Sequence, residues 1–226
     1  MEEAKGMGGS PLWRRAALGL YVWPLRLYFR WLKVPLSRIA DRFKPKASWP
    51  HLTWASLGDF DRWLRDHATW TSDPAGGALD LFPSREHLAW QLNQFGRVAD
   101  DCDGLACFSA GFVHQFCERP EEVYIVTVVL DPFSFPEKPL FYAAHVICIF
   151  RCPDGWRVTS NQFVDPQCYE SFETAVTDNT YTRGHPLLFC EVRDADLHFI
   201  ANGDVRRVRR ILERRGYRSD KPSPLS

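Results

Sequence analysis

One apolar helix followed by a series of strand-forming runs constrains the fold of this chain more than any other feature. After Asp100 or Asp101, either of which can cap a helix, apolar side chains recur at helical spacing. They are Leu105, Phe108, Phe112, Val113 and Phe116. Beyond Pro120 the pattern changes to β-branched runs at 123–130, 142–151, 155–161 and 187–192, with a hairpin turn at Pro153-Asp154-Gly155. The sequence therefore predicts an α+β fold in which this helix packs on a small antiparallel sheet.

The length and the distribution of charge divide the chain into a basic arm, a main domain and a tail. The 226 residues are enough for one sizeable domain. Residues 1–46 read as a helical, basic and aromatic arm interrupted at Pro24 and Pro35, with a helix start at Ser10-Pro11. We expect the main domain at 47–218 and disordered residues at 1–9 and 219–226. Residues 51–203 carry ten Lys/Arg against 22 Asp/Glu, so an acidic body lies between two basic ends.

The arm combines aromatic and basic residues in a way that admits three roles. The aromatic residues are Trp13, Tyr21, Trp23, Tyr28, Phe29 and Trp31, and basic residues stand between and beyond them. This composition suits a membrane interface, and it equally suits an arm packed on the acidic body. Nucleic-acid binding is the weakest alternative, because the main domain is acidic. A partner protein or a membrane surface is therefore expected at the arm, and nucleic acid is not.

Cysteine usage and hydropathy indicate a cytoplasmic protein, with peripheral membrane association as an option. The chain has seven cysteines, an odd number, in spacings that do not form a disulfide framework. It contains no C-x-x-C motif, and we expect neither a metal nor a cofactor. No run of about 18 apolar residues is present, so no transmembrane helix is expected.

The candidate nucleophile lies at the start of the apolar helix. Cys102 stands there, where free N–H groups and the helix dipole stabilise a thiolate. Asp101 and Asp103 oppose this effect, because nearby negative charge raises the pKa of a thiol. A histidine partner is therefore needed, and His145 follows in the middle of an apolar strand.

A third residue is needed to orient the imidazole. The neighbouring hairpin strand offers Ser160 and Asn161, of which only one can face His145, because side chains alternate along a strand. We predict Asn161, since an amide carbonyl orients imidazole well in Cys-His-Asn sites. Asp165 is a further candidate. The backbone N–H of Cys102 is the expected first donor to an oxyanion.

Three segments together resemble a known family. They are D-C-D-G-L-A from Asp101, A-H-V-I-C-I-F-R from Ala144 and G-W-R-V-T-S-N from Gly155. In this order they look like the core of the transglutaminase-like superfamily, which includes bacterial and phage transglutaminase-like cysteine peptidases. The resemblance covers residues 84–162, about a third of the chain.

The resemblance implies a papain/transglutaminase-like core, with Cys102 as nucleophile and His145 as general base and acid. The family usually has Asp in the third position, and alignment on Trp156 and Val158 places Ser160 there, with Asn161 adjacent. Members of the family include peptidases, protein cross-linkers, deamidases and inactive binding domains, so the resemblance leaves the substrate open.

We therefore expect a cysteine-dependent amide-bond hydrolase or acyltransferase that acts on a peptide or protein through a thioester. The alternative is a catalytically inactive binding or scaffold domain whose arm docks on a membrane or a partner. An arm that covers the cleft at Cys102 would combine the two. A zinc hydrolase built on Cys102, His145 and Asp165 is remote, because no closely spaced ligand pair anchors such a site.

Overall fold

A computed structural model describes residues 12–72, 81–135 and 143–219 of the chain. The expectations for residues 1–9, for the start at Ser10-Pro11 and for the tail beyond Ser219 lie outside these ranges. Within them the chain is a mixture of helices and strands, and the α+β character predicted from the sequence is confirmed.

Seven α-helices are present in the described residues. They are α1 (Leu12–Leu27), α2 (Val34–Asp41), α3 (Leu57–His67), α4 (Arg85–Phe95), α5 (Cys102–Val113), α6 (Phe172–Thr177) and α7 (Val205–Ser219). Side-chain caps define several helix starts: Ser56 accepts from the Asp59 amide and Ser84 from the His87 amide. Gly96 ends α4 with φ +69°, a backbone conformation that glycine adopts without strain. Short 3₁₀ turns follow at His114–Phe116 and Pro132–Ser134.

Six strands form one antiparallel sheet, and two more form a short parallel pair. The strands are β1 (Ala68–Trp70), β2 (Val98–Asp100), β3 (Val123–Leu130), β4 (Ala144–Cys152), β5 (Gly155–Ser160), β6 (Phe163–Val164), β7 (Leu187–Asp194) and β8 (Phe199–Gly203). The order in the sheet is β6-β5-β4-β3-β7-β8, and β1 pairs with β2. The predicted hairpin between β4 and β5 is confirmed, since Cys152 pairs with Gly155.

The two faces of the sheet bury separate apolar clusters. Val146, Cys148 and Phe150 of β4 belong to the cluster that contains Leu105 and Phe108 of α5. The alternate β4 residues Ile147 and Ile149 belong to the cluster that contains residues of α6 and α7. Helix α5 therefore packs on the sheet as the sequence predicts, and its contacts with β4 are the most extensive. These contacts bring the start of α5 to the first residues of β4.

The arm runs through both prolines instead of breaking at them. Pro24 lies inside α1, and Pro35 is the second residue of α2, which continues directly from the preceding helical segment. The irregularity is a π-helical segment between them, Tyr28–Lys33. The prediction of interruptions at Pro24 and Pro35 is therefore wrong in position. In the described part of the chain no helix is both long and apolar enough to cross a bilayer.

Candidate active site

The first turn of α5 presents Cys102 next to an unbonded amide. Asp101 is the N-cap, and its Oδ1 accepts from the amides of Asp103 and Gly104. Its carbonyl accepts from the Leu105 amide. The Cys102 amide has no acceptor among the described residues, so one N–H of the helix start remains available beside the sulfur.

The sulfur of Cys102 lies against the first residues of β4. The backbone amide of Val146 lies close enough to Sγ to lower the pKa of the thiol, which places the sulfur beside the peptide unit that joins His145 to Val146. The thiol also lies 3.9 Å from Asp103 Oδ1 and can donate to it. Asp103 in turn forms an ion pair with Lys33 of the π-helical segment, and both side chains are buried. The arm is therefore joined to the cysteine helix by a buried charge pair.

The surroundings of Cys102 favour the protonated thiol in this conformation. Burial raises the pKa of Cys102 well above its usual value, and the carboxylates of Asp103 and Asp101 raise it further. The Val146 amide and the Lys33 ammonium act in the opposite direction but do not outweigh these effects. The sequence-based expectation that the two acids oppose a thiolate agrees with this direction.

His145 is buried and held by two contacts. Its Nε2 and the Oγ of Ser160, on the adjacent strand β5, are joined by a hydrogen bond of 2.9 Å. Its ring packs on Tyr181 with the ring centroids 4.0 Å apart. No hydrogen bond joins His145 to Cys102, both of which the structure describes. Because side chains alternate along β4, the His145 ring lies on the α6/α7 face of the sheet, with Ile147 and Ile149, and not on the α5 face that carries Cys102. The structure therefore does not bring the imidazole to the thiol.

Ser160, and not Asn161, makes the hydrogen bond to the imidazole. β5 ends at Ser160, and Asn161 has φ +51°, so the chain turns out of the strand at that residue. The Asn161 Oδ1 is buried and has no hydrogen-bond partner among the described residues. The prediction that Asn161 orients His145 therefore does not match this geometry, because the backbone turn removes its side chain from the alternation of the strand.

Asp165 supports the ring that covers His145 instead of bonding to the imidazole itself. Its Oδ2 accepts from both the amide and the hydroxyl of Thr180, and its Oδ1 accepts from the Gln167 amide. Thr180 precedes Tyr181, the residue that packs on His145. The three hydrogen bonds thus fix the loop that carries Tyr181.

Burial makes His145 a weak base. It lowers the pKa of His145 from 6.5 to about 4, because the charged imidazolium would lose its hydration. The ring is therefore neutral at pH 7 and can accept a proton. The Ser160 hydroxyl, unlike a carboxylate, adds no negative charge to stabilise the imidazolium.

We expect this shift to make the protein sensitive to mild acid. The unfolded chain binds a proton at His145 near pH 6.5 and the folded chain near pH 4, so the contribution to stability is complete above pH 6.5 and is lost as the pH falls to 4. The loss amounts to about 3 kcal/mol. Urea unfolding of the wild type between pH 7 and pH 4 should show this loss in excess of that of a His145→Gln variant, which keeps a polar group for Ser160. If the free energy of unfolding fell equally with pH in the two proteins, the lowered pKa of His145 would be contradicted.

One group of possible metal ligands surrounds the cysteine. Ligand atoms of Asp101, Cys102 and Asp103 lie within 4.8 Å of one another. Asp101 is occupied in capping α5, and Asp103 is paired with Lys33. Both carboxylates thus have structural partners, and the group does not require a cation.

Sequence reasoning missed two residues of this site. Tyr181 belongs to a stretch with no periodicity, and its role depends on the fold of the loop after α6. Lys33 stands among the many basic residues of the arm, and only its place in an apolar helical run, Phe29-Arg30-Trp31-Leu32-Lys33-Val34, marks it as a candidate for burial.

Comparison with models of known protein families finds no family that matches the chain, and comparison with curated proteins finds no match either.

Proposed function

We propose that this chain is a cysteine-dependent amide-bond hydrolase or acyltransferase with a papain/transglutaminase-like core, and that a peptide or protein is its substrate. The observation that carries the proposal is the position of the Cys102 sulfur. It lies at the start of α5, near the backbone amide that follows His145, while Ser160 bonds to Nε2 of that histidine. The thiol lies on the α5 face of β4, while the imidazole and Ser160 lie on the opposite face, so the reaction requires the His145 ring to turn to the α5 face.

In the proposed reaction Cys102 Sγ attacks the carbonyl carbon of the substrate amide and gives its proton to His145 Nδ1. The negative charge that forms on the substrate oxygen is stabilised by the free Cys102 N–H. The C–N bond then breaks, the imidazolium protonates the leaving amine, and a thioester remains. Water, deprotonated by His145, attacks the thioester and releases the acid and the thiol; an amine in place of water would give transfer.

The neutral state of His145 determines when the proton moves from the Cys102 thiol to the imidazole in the proposed reaction. With the pKa of Cys102 raised and that of His145 lowered, the resting pair is thiol and imidazole, and the proton moves only during attack. Sulfur and imidazole must come into contact when substrate binds, which requires a rearrangement of the first residues of β4. In this scheme Ser160 accepts from Nε2–H and so keeps Nδ1 free for the thiol.

The pH dependence of alkylation tests the pairing. We expect iodoacetamide to modify Cys102 at least about tenfold faster in the wild type than in His145→Ala, because general-base assistance is lost in the variant. The wild-type rate should level off above about pH 5, since His145 is deprotonated there. In the variant the rate should keep rising with pH as the thiol itself ionises.

Cys168 serves as the internal reference, because its thiol bonds to the Asp154 carbonyl and is remote from His145 in the sequence. Its rate should be the same in both proteins when each cysteine is quantified by mass spectrometry. Identical rates and pH profiles for Cys102 with and without His145 would overturn the proposal.

A second candidate is a catalytically inactive binding domain of the same type. The observations that favour it are the raised pKa of the Cys102 thiol and the hydroxyl of Ser160 where the family usually has a carboxylate. The same alkylation experiment separates the two, because in an inactive domain the alkylation rate of Cys102 would not depend on His145.

A further inference from the structure

The outer face of the arm is a largely exposed apolar stripe, of which Trp13 contacts Phe133 at its start. The inner face is buried on the domain through Phe29, Lys33, Val34, Ser37 and Asp41. On the outer face large apolar side chains recur at helical spacing and remain exposed. They are Leu12, Trp13, Leu20, Trp23, Leu27, Trp31, Leu32, Leu36, Ile39 and Phe43. We call these ten residues the outer stripe.

The outer stripe is too large and too aromatic for an ordinary surface. Trp23 is 67% exposed, Trp31 is 64% exposed and Phe43 is 86% exposed. Contiguous apolar surfaces of this kind on soluble proteins mark binding sites. Tryptophan in particular is enriched at membrane interfaces, because the indole is apolar over most of its surface and carries one polar N–H.

The charge around the outer stripe is positive. Residues 12–46 contain a single acid, Asp41, which is buried and bonded to Lys46. Arg26, Arg38 and Arg42 are exposed beside the stripe. A surface that accepts this face must therefore be apolar and must also carry negative charge.

A cavity of about 430 Å³ opens beside the middle of the stripe, between the arm, β8 and the start of α7. Arg26, Arg30 and Arg207 line it together with Trp23 and Trp31, and no acid is among the lining residues. The Nη1 of Arg30 is buried and lacks a hydrogen-bond acceptor among the described residues. Within those residues none of the three arginines forms an ion pair, so the cavity presents unpaired donors to an anion.

We propose that the outer stripe docks in the interface of an anionic phospholipid bilayer and that the cavity receives a lipid phosphate. The helix lies in the plane of the membrane, with its tryptophans among the upper acyl chains. The guanidinium groups of Arg26, Arg30 and Arg207 bind the headgroup phosphate at the rim. This docking is independent of any catalysis by Cys102.

A bilayer explains the stripe better than a second copy of the chain does. A two-fold contact through the same face would bring the three unpaired arginines of one copy against those of the other. Like charges at that distance repel, and no described acid lies on the face to compensate. An anionic lipid supplies both the apolar phase and the missing acceptors.

Co-sedimentation of the full chain with vesicles tests the proposal. The wild type is expected to bind vesicles of phosphatidylcholine mixed with phosphatidylglycerol and to bind phosphatidylcholine alone much more weakly. Arg26→Ala/Arg207→Ala should weaken binding to the anionic vesicles roughly thirtyfold, since each basic residue near such a surface contributes about a factor of five. Trp23→Ala/Trp31→Ala should weaken binding on the order of a hundredfold.

Two matched variants control for general effects of charge and aromatic content. Arg97 and Trp70 are also exposed, and both lie outside the arm, so Arg97→Ala and Trp70→Ala should bind as the wild type does. Equal binding to neutral and anionic vesicles, or wild-type binding by the Arg26/Arg207 variant, would overturn the phosphate site. A wild type that fails to bind anionic vesicles and instead dimerises through the tryptophans in light scattering would overturn the membrane assignment.

Discussion

A Cys102→Ala variant is expected to lose amide hydrolysis by about a thousandfold or more. The reason is that the covalent route through the thioester disappears with the sulfur, and what remains is only the binding of substrate and the free N–H at the start of α5. The measurement is an incubation with a proteome-derived peptide library, followed by mass spectrometry of newly formed peptide ends. His145→Ala should show a loss of similar size, because residues that act as one unit do not contribute additively.

Two further variants make this result specific. Cys168→Ala removes another partly exposed thiol and should cleave the same peptides as the wild type. Ser160→Ala should show a smaller loss than His145→Ala, because it affects only the orientation of the ring. Cleavage products that persist unchanged in Cys102→Ala would show that this cysteine is not the nucleophile.

Replacement of Lys33 by methionine is expected to lower the free energy of unfolding by about 3–5 kcal/mol. Lys33 and Asp103 are both buried and form an ion pair, and the ammonium also lies 4.4 Å from the centre of the Phe82 ring. Methionine would fill most of the space but leave the Asp103 carboxylate buried without this cation, which is the costly outcome for a buried pair. Urea unfolding at neutral pH measures the change.

The double variant Lys33→Met/Asp103→Leu distinguishes the lost ion pair from lost packing. Replacing both charges by apolar groups of similar size is often nearly neutral, so most of the stability should return. Lys46→Met is the matched control, because Lys46 pairs with Asp41 from an exposed position and surface pairs contribute little. A double variant as unstable as Lys33→Met would show that lost packing, and not the loss of the ammonium beside the Asp103 carboxylate, causes the decrease in stability.

Local sequence signals predicted the long elements and missed the short ones. Strands β3, β4, β5 and β7 and the cap at Asp101, one of the two candidates, follow from periodicity and capping chemistry, which act within a few residues. Strands β1, β2 and β6 have only two or three residues, too few for an alternating pattern. They exist because neighbouring segments offer hydrogen-bond partners, such as the Asp61 carboxylate that accepts from the Val164 amide.

Local sequence signals were also insufficient to describe the arm. Its helical character is local and was predicted, but the irregularity is the π-helical segment at Tyr28–Lys33, which contains neither proline. The burial of one face and the exposure of the other were not readable from composition, because both faces contain aromatic and basic residues. Packing on the domain decided which side chains are free.

The sequence by itself determined that a cysteine begins an apolar helix, that a histidine follows in an apolar strand, and that a polar residue lies near the end of the next strand. These are consequences of local pattern and of chain order. Only the tertiary structure decided that Ser160, and not Asn161, bonds to His145, because the choice depends on where β5 ends and the backbone turns. It also decided that Lys33 meets Asp103 and that Tyr181 covers the imidazole. Both contacts join residues far apart in the chain, and their energies depend on burial, which no local pattern specifies.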